Sequence, residues 1–286
     1  MKLCAACRAP LTSDAWQCDQ CRWQAVRRDG VTVLLPEGAE VAEGFSHEQF
    51  ENLLAVMPRH FWFAARNRLL AWAVRRHFPA ARTFLEVGCG TGHVLHGLGA
   101  AIPSLRLTAS EASFAGIREV GRWLPHVDLV QADVTRLPYE EEFDVVGAFD
   151  VLEHVPDDAA AMREIARSVR PGGGVVITVP QHAWLWSGLD EYAGHQRRYS
   201  RAALVSLVGS AGLRPVLVTS FVSLLLPALL LSRAAQRGKT VDPLQEFRIA
   251  PAANRVAGWM MTAERALIRG GLSLPAGGSL LLVARR

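Results

Sequence analysis

The chain lacks a segment able to cross a bilayer. Its most apolar run, Val216 to Leu231, holds 16 residues and is interrupted by Pro227, short of the ~20 that a spanning helix needs. The opening MKLCAACRAP carries a lysine but no apolar stretch behind it, so no secretory signal is expected and the protein reads as cytoplasmic. Internal repeats and low-complexity tracts are missing, which leaves an ordinary globular reading. A large excess of one charge is missing too. The net charge of +4 permits contact with an acidic ligand or a membrane surface, but it does not supply the dense basic stripe that nucleic-acid binding calls for. Cysteine is nearly absent beyond residue 21, where only Cys89 remains.

What is there is enough for a core. Half of the 286 residues are apolar and 20% are charged, which argues against wholesale disorder. The length suits one large domain with a small appendage, or two domains.

Four of the five cysteines fall as Cys4-x2-Cys7 and Cys18-x2-Cys21. In a reducing compartment paired cysteines point to metal or redox chemistry rather than disulfides. Two such pairs, ten residues apart, are the spacing of two knuckles closing one tetrahedral zinc site. With all four positions filled the site is expected to be structural. A segment of this size builds little core of its own, so the metal would supply its stability.

Residues 1–35 are therefore read as a zinc-binding module that includes a short strand at Val31–Leu35. Residues 36–80 form a linker and N-terminal helices: Ser46 with Gln49 resembles a capping box. A second helix from about His60 to Phe78 carries Phe63, Leu70, Val74 and Phe78 at helical spacing, with Arg66, Arg68, Arg75 and Arg76 on other faces. From residue 81 to 220 strands and helices alternate. Strands are expected at 83–87, 105–109, 127–131, 143–149, 175–179 and 215–220, with helices at 93–101, 114–123, 158–169 and 201–211. Such alternation means βαβ units and a mostly parallel sheet. Residues 221–275 read as a helical insertion, whose helix 251–269 puts Val256, Trp259, Met260, Ala263 and Leu267 on one stripe. Residues 276–286 close the chain as a final strand.

The sharpest motif is Phe84-Leu-Glu-Val-Gly-Cys-Gly-Thr-Gly92 at the end of the first strand of the alternating region. Gly88, Gly90 and Gly92 allow a tight turn and close approach of a ligand. Glycines alone would not distinguish a cofactor loop from a turn. Around them, however, Glu86, Glu111, Asp133 and Asp150 fall at the carboxyl ends of four consecutive strands, the edge where open α/β sheets bind ligands. Glu111 is placed to accept ribose hydroxyls and Asp133 an adenine amino proton. Cys89 lies within the loop, its thiol read as a small packing group.

Residues 83–220 resemble class I S-adenosylmethionine-dependent methyltransferases of the type 11/12-like kind. Glu-Val-Gly-Cys-Gly-Thr-Gly92 matches the family's first motif, and Glu111 and Asp133 its ribose and adenine acids. Asp150-Val-Leu-Glu-His-Val155 and Arg170-Pro-Gly-Gly match its fourth- and fifth-strand signatures. The resemblance implies a Rossmann-like fold with a seven-stranded, mostly parallel sheet, its last strand antiparallel and flanked by helices. It implies S-adenosylmethionine as cofactor, with Ala112, Val134 and Val151 beside the acids completing the lining. His60–Arg68, His195–Tyr199 and Leu274–Ser279 resemble a bacterial subgroup of these enzymes, many with the same zinc knuckle.

The long aromatic and basic segment 181–199 leaves the fifth strand at the cofactor edge and reads as a lid. Trp186, Arg197, Arg198 and Tyr199 are candidate acceptor contacts, the arginines as grips on an anionic group, although local acids such as Asp190 and Glu191 are alternative partners for them. His195 and His154 are candidate general bases. The leading expectation is an O-directed methyltransferase of a small-molecule or lipid-linked metabolite. A first alternative is an RNA-base methyltransferase whose zinc knuckle holds RNA, and a second is a catalytically silent scaffold. Nucleic acid is not the expected partner. The insertion 221–275, apolar on all sides at its start, could pack into the core, form a homodimer face or touch a membrane surface.

Overall fold

The computed structural model describes residues 1–13, 15–35, 56–57, 59–236 and 249–286. The short helix expected near Ser46 and Gln49, the start of the linker and the charged stretch 237–248 lie outside the described residues.

A sheet is built around β3, Thr83–Val87, every residue of which is buried. Strands β4 (Arg106–Glu111), β5 (Asp128–Gln131), β6 (Phe143–Phe149) and β7 (Val169–Pro180) run parallel to it. The last strand, β9 (Ser279–Arg285), inserts antiparallel between β7 and β8 (Arg214–Phe221). The apolar residues alternate between two cores, as a strand's period of two requires. Phe84, Val145, Phe149, Val176, Leu281 and Val283 face one side. There they meet α1 (Phe61–His77), α2 (His93–Ala101), α3 (Phe114–Trp123) and α8 (Pro251–Arg269). Leu85, Val87, Val146, Ile177, Leu280 and Leu282 face the other, against α4 (Asp158–Ser168) and α6 (Arg201–Ser210). Covered on both faces, these strands read as the continuous apolar runs typical of a buried parallel sheet.

Helix starts follow local capping chemistry. The Ser113, Asp157 and Ser200 side chains accept from the amides of Gly116, Ala160 and Ala203. Arg170–Gly174, read from sequence as a turn, is a bulge within β7. The pairing with β6 jumps from Phe143 opposite Val169 to Val145 opposite Gly174. Glycine is needed at its end because a Cβ on Gly174 would stand 2.1 Å from the Ala284 carbonyl oxygen.

Among the described residues the sheet has nine strands, in the order β1-β2-β5-β4-β3-β6-β7-β9-β8, against the seven expected. The two extra strands, β1 (Val26–Arg28) and β2 (Val31–Val33), come from the N-terminal module. They form a hairpin turning on Asp29 and Gly30, both at positive φ, and β2 pairs parallel with β5. The module is thus an edge of the sheet as well as an appendage. Trp16 packs edge-on against the buried Tyr139 at 5.8 Å, and Arg8 donates to the Leu137 carbonyl and to Glu164.

The insertion is helical, with α7 (Leu226–Gln236) formed from the apolar run and α8 following. Among the described residues no helix is long and apolar enough to cross a membrane. The stripe Val256, Trp259 and Leu267 faces out, with Trp259 71% exposed. The face turned inward carries Ala257, Met261, Glu264 and Ile268. The buried Glu264 receives the amides of Val222, Ser223 and Leu224 at 2.7, 2.6 and 2.9 Å, which ties α8 to the end of β8. Removing that acceptor leaves buried donors unpaired, at about 1–3 kcal/mol each. Glu264→Ala is expected to lower unfolding free energy by roughly 3 kcal/mol, read from denaturant melts. A loss under about 0.5 kcal/mol would contradict this account of how the insertion is anchored.

Candidate functional site

The glycine turn after β3 is formed as its composition predicts. Gly88, Gly90 and Gly92 have φ of 60°, 50° and 71°, values that favour glycine. A Cβ on Gly88 would also stand 2.7 Å from Val151 Cγ2, so the loop and the end of β6 approach more closely than a side chain allows. The amide of Cys89 is engaged by the Ser110 carbonyl at 3.0 Å. Burial pushes its thiol well above the usual cysteine range, which fits a packing role.

Glu111 ends β4 and holds the loop: its carboxylate accepts from the amides of Gly90, Ala112 and Ser113 at 3.1, 2.8 and 3.2 Å. Asp133 follows β5 and accepts from Thr135 at 2.8 Å, starting the single 3₁₀ turn Val134–Arg136. Glu86 is 2% exposed, and its Oε2 has no hydrogen-bond partner. Burial pushes its carboxyl up to about 8, against the pull of nearby Arg66. Asp150 follows β6 in a left-handed conformation, φ 58°, where a side chain other than Gly, Asn or Asp is strained. It pairs with Arg66.

The sequence places Arg66 on a helix face away from the apolar stripe and gives it no role in the site. Its place in α1 put it on a face away from the core, yet it is 7% exposed and turned inward, with its guanidinium 4.3 Å from the Trp62 ring centre. The pull is electrostatic, since this end of the sheet carries Glu86, Glu111 and Asp150.

The segment 181–199 closes on itself at its base, where Gln181 bridges Tyr199. Inside it, α5 (Gly188–Tyr192) begins with a Ser187–Asp190 capping box. Asp190 is fully buried and is the hub of the segment. It accepts from Ser187 N at 2.9 Å, from Arg198 Nε and Nη2 at 2.7 and 3.0 Å, and faces His195 Nδ1 at 2.8 Å. These partners hold its carboxyl well below the usual range even though burial alone would raise it.

Three of the candidate acceptor contacts are engaged within the protein. Arg198 is committed to Asp190 and the Gln181 carbonyl. Arg197 pairs with Asp158 at 2.9 Å and donates to the Pro156 carbonyl. Tyr199 is buried, with its hydroxyl donating to Asp158 at 2.6 Å. Arg197 and Tyr199 fasten the segment to residues 152–158, while Arg198 ties it together from within. Trp186 remains 39% exposed, beside Trp184 at 59%.

The two candidate histidines are brought together, with ring centres 4.7 Å apart at 80°. Burial lowers His154 to about 4, so its ring is neutral at physiological pH. Beside them lies Glu153, fully buried, with neither carboxyl oxygen hydrogen-bonded among the described residues. It stands in the quoted Asp-Val-Leu-Glu-His segment, but a sequence does not show which acid of such a segment turns inward.

The four N-terminal cysteines converge. Cys4 and Cys21 sulfurs lie 3.6 Å apart, as do those of Cys7 and Cys18, and all four lie within 4.8 Å of one another. Thiolates on one tetrahedral zinc at about 2.3 Å stand roughly 3.8 Å apart, so the cluster fits a zinc ion. Each knuckle turns back through an amide-to-carbonyl bond, Arg8 to Cys4 and Arg22 to Cys18, at 3.0 Å.

Comparison with known families matches residues 56–218 to a methyltransferase domain. A probable S-adenosylmethionine-dependent methyltransferase of Mycolicibacterium smegmatis is 31% identical over 156 residues, 54% of this chain and 59% of its own. A ubiquinone biosynthesis O-methyltransferase of Thiobacillus denitrificans is 34% identical over 114 residues, 38% of this chain and 49% of its own. The matches span between 49% and 59% of these relatives' lengths. Among solved structures, phosphoethanolamine N-methyltransferase 2 of Haemonchus contortus, in complex with S-adenosyl-L-methionine, superposes with a TM-score of 0.58. It is 16% identical, over 88% of this chain and 61% of that one, a likeness of fold.

The cysteine geometry predicts about one zinc per chain by elemental analysis. Because β2 continues the main sheet, stripping the zinc or introducing Cys18→Ser should lower the melting temperature of the whole chain. Zinc-free protein that melts unchanged would overturn the structural role.

Proposed function

The chain belongs to the methyltransferase-domain family, and from that premise we propose that it transfers the methyl group of S-adenosylmethionine to a hydroxyl oxygen of a small-molecule or lipid-linked acceptor. The observation that carries the cofactor half is Glu86. A fully buried carboxyl with an unpartnered oxygen beside a left-handed glycine turn suits a ligand that brings donors and positive charge. S-adenosylmethionine brings both, in its ammonium and its sulfonium, and its methyl carbon is electrophilic without further activation.

In this reading Glu111 takes the ribose hydroxyls and Asp133 the adenine amino group, while Gly88, Gly90 and Gly92 give the backbone close approach. Ala112, Val134 and Val151 line the same edge, and Asp150 is held in place by Arg66. The acceptor enters beside the exposed Trp184 and Trp186. Its oxygen comes to the His154–His195 pair, which activates it, next to the end of β6. Asp190 fixes the tautomer of His195 by taking its Nδ1 proton into a hydrogen bond, which leaves Nε2 for the acceptor side.

Two measurements test the halves separately. Glu111→Ala should weaken S-adenosylmethionine binding by about 3 kcal/mol, roughly 100-fold, through loss of charge-assisted hydrogen bonds. Titration calorimetry showing tight NAD binding and no S-adenosylmethionine binding would end the cofactor assignment. His195→Ala should lower turnover by roughly 10²–10⁴ with cofactor affinity unchanged. If both His195→Ala and His154→Ala turn over a hydroxyl acceptor at the wild-type rate, the acceptor does not sit at the pair.

A further inference from the structure

Glu153 is the strangest side chain in the molecule. It is 0% exposed, and neither of its oxygens has a hydrogen-bond partner. Leaving a buried carboxyl unsatisfied costs at least the desolvation of that group. Arg66 and Arg198 are near enough to act on it electrostatically, but both are committed to other carboxylates.

Beside Glu153 lies a pair of imidazoles, and one of them is held from behind. His195 Nδ1 lies 2.8 Å from the buried Asp190 carboxylate. With Nδ1 of His195 engaged by Asp190, its Nε2 is left for another partner. A histidine oriented through its second nitrogen by a carboxylate or a carbonyl is the usual arrangement of a metal ligand. One ligand atom from each of Glu153, His154 and His195 can be chosen so that all lie within 4.8 Å of one another.

We propose that Glu153, His154 and His195 hold a divalent first-row cation at the acceptor end of the site, distinct from the cysteine zinc. Two imidazoles and one carboxylate are a borderline donor set, which suits Zn²⁺, Fe²⁺ or Mn²⁺ over Mg²⁺ or Ca²⁺. Three protein ligands leave coordination positions open, as catalytic rather than structural sites do. The inference rests on the acceptor placement proposed above and states how the pair activates the oxygen. On the cation, the acceptor's hydroxyl becomes more acidic and loses its proton to water. The oxygen's electron pair then forms the new bond to the methyl carbon. The carbon–sulfur bond breaks with its electrons left on sulfur, giving methyl ether, S-adenosylhomocysteine and one proton.

Mn²⁺ is the probe, because electron paramagnetic resonance counts it in the full-length protein carrying a single zinc equivalent, and thiolate sites disfavour it. The expected result is one Mn²⁺ bound per chain, weakened at least 10-fold in Glu153→Gln and in His195→Asn, with S-adenosylmethionine affinity unchanged in both. The wild-type protein decides the matter even if a variant misfolds. No stoichiometric Mn²⁺ binding, or equal binding in folded Glu153→Gln, overturns the site. Turnover that persists in a chelator while His195→Ala remains inactive also overturns the cation, yet leaves the acceptor placement standing. Turnover indifferent to both histidines would sink the acceptor placement instead.

Discussion

Arg66 carries a positive charge into the acidic end of the sheet, and the arrangement of the site depends on it. Parallel strands bring Glu86, Glu111, Asp133 and Asp150 to one edge, where burial, with Glu111 nearby, disfavours the charged form of Glu86. The guanidinium pairs with Asp150 and opposes the rise in the Glu86 carboxyl. It is delivered by α1, a helix outside the alternating core, whose apolar side packs on the sheet through Leu70 and Val74. The N-terminal helix is thereby part of the ligand edge.

A second buried charge organises the acceptor side. Asp190 gathers Ser187, His195 and Arg198, and Arg197 and Tyr199 bind the same segment to Asp158. A buried carboxylate with several donors is stable where an unpaired one is not. The segment therefore behaves as a packed wall that sets the position of His195 against His154. Its arginines position that wall. Glu153, with a carboxyl oxygen within 4.8 Å of a His195 ring nitrogen, has no such partners among the described residues. The contrast between two equally buried acids, one saturated and one bare, separates a structural carboxylate from one available to a ligand.

The N-terminal module shows how a small metal-dependent unit gains from a large neighbour. Its core is little more than Leu3, Trp16 and two of its cysteines. Docking on Tyr139, Leu137 and Glu164 and adding β2 to β5 supply backbone hydrogen bonds and apolar contact that some thirty residues cannot supply alone. In return the hairpin covers an edge strand that would otherwise expose its unpaired groups.

Local chemistry was legible in the amino-acid sequence wherever neighbours in the chain are also neighbours in space. The alternation of strands and helices, the glycine turn at 88–92, the acids that follow successive strands and the two cysteine pairs are of this kind. Each depends on spacing within some twenty residues or on the fixed period of a strand or helix. Contacts between distant segments were decided by the tertiary structure alone. Helical spacing put Arg66 on an outer face and Val256, Trp259 and Leu267 on a shared stripe, but periodicity cannot say which side of a helix meets the sheet. Only the packed structure turned Arg66 inward to Asp150, 84 residues away, and left Trp259 outside. The same holds for Arg197, Arg198 and Tyr199. Their character as donors is local, but whether a donor serves a substrate or a buried acid depends on which carboxylate the fold places within reach.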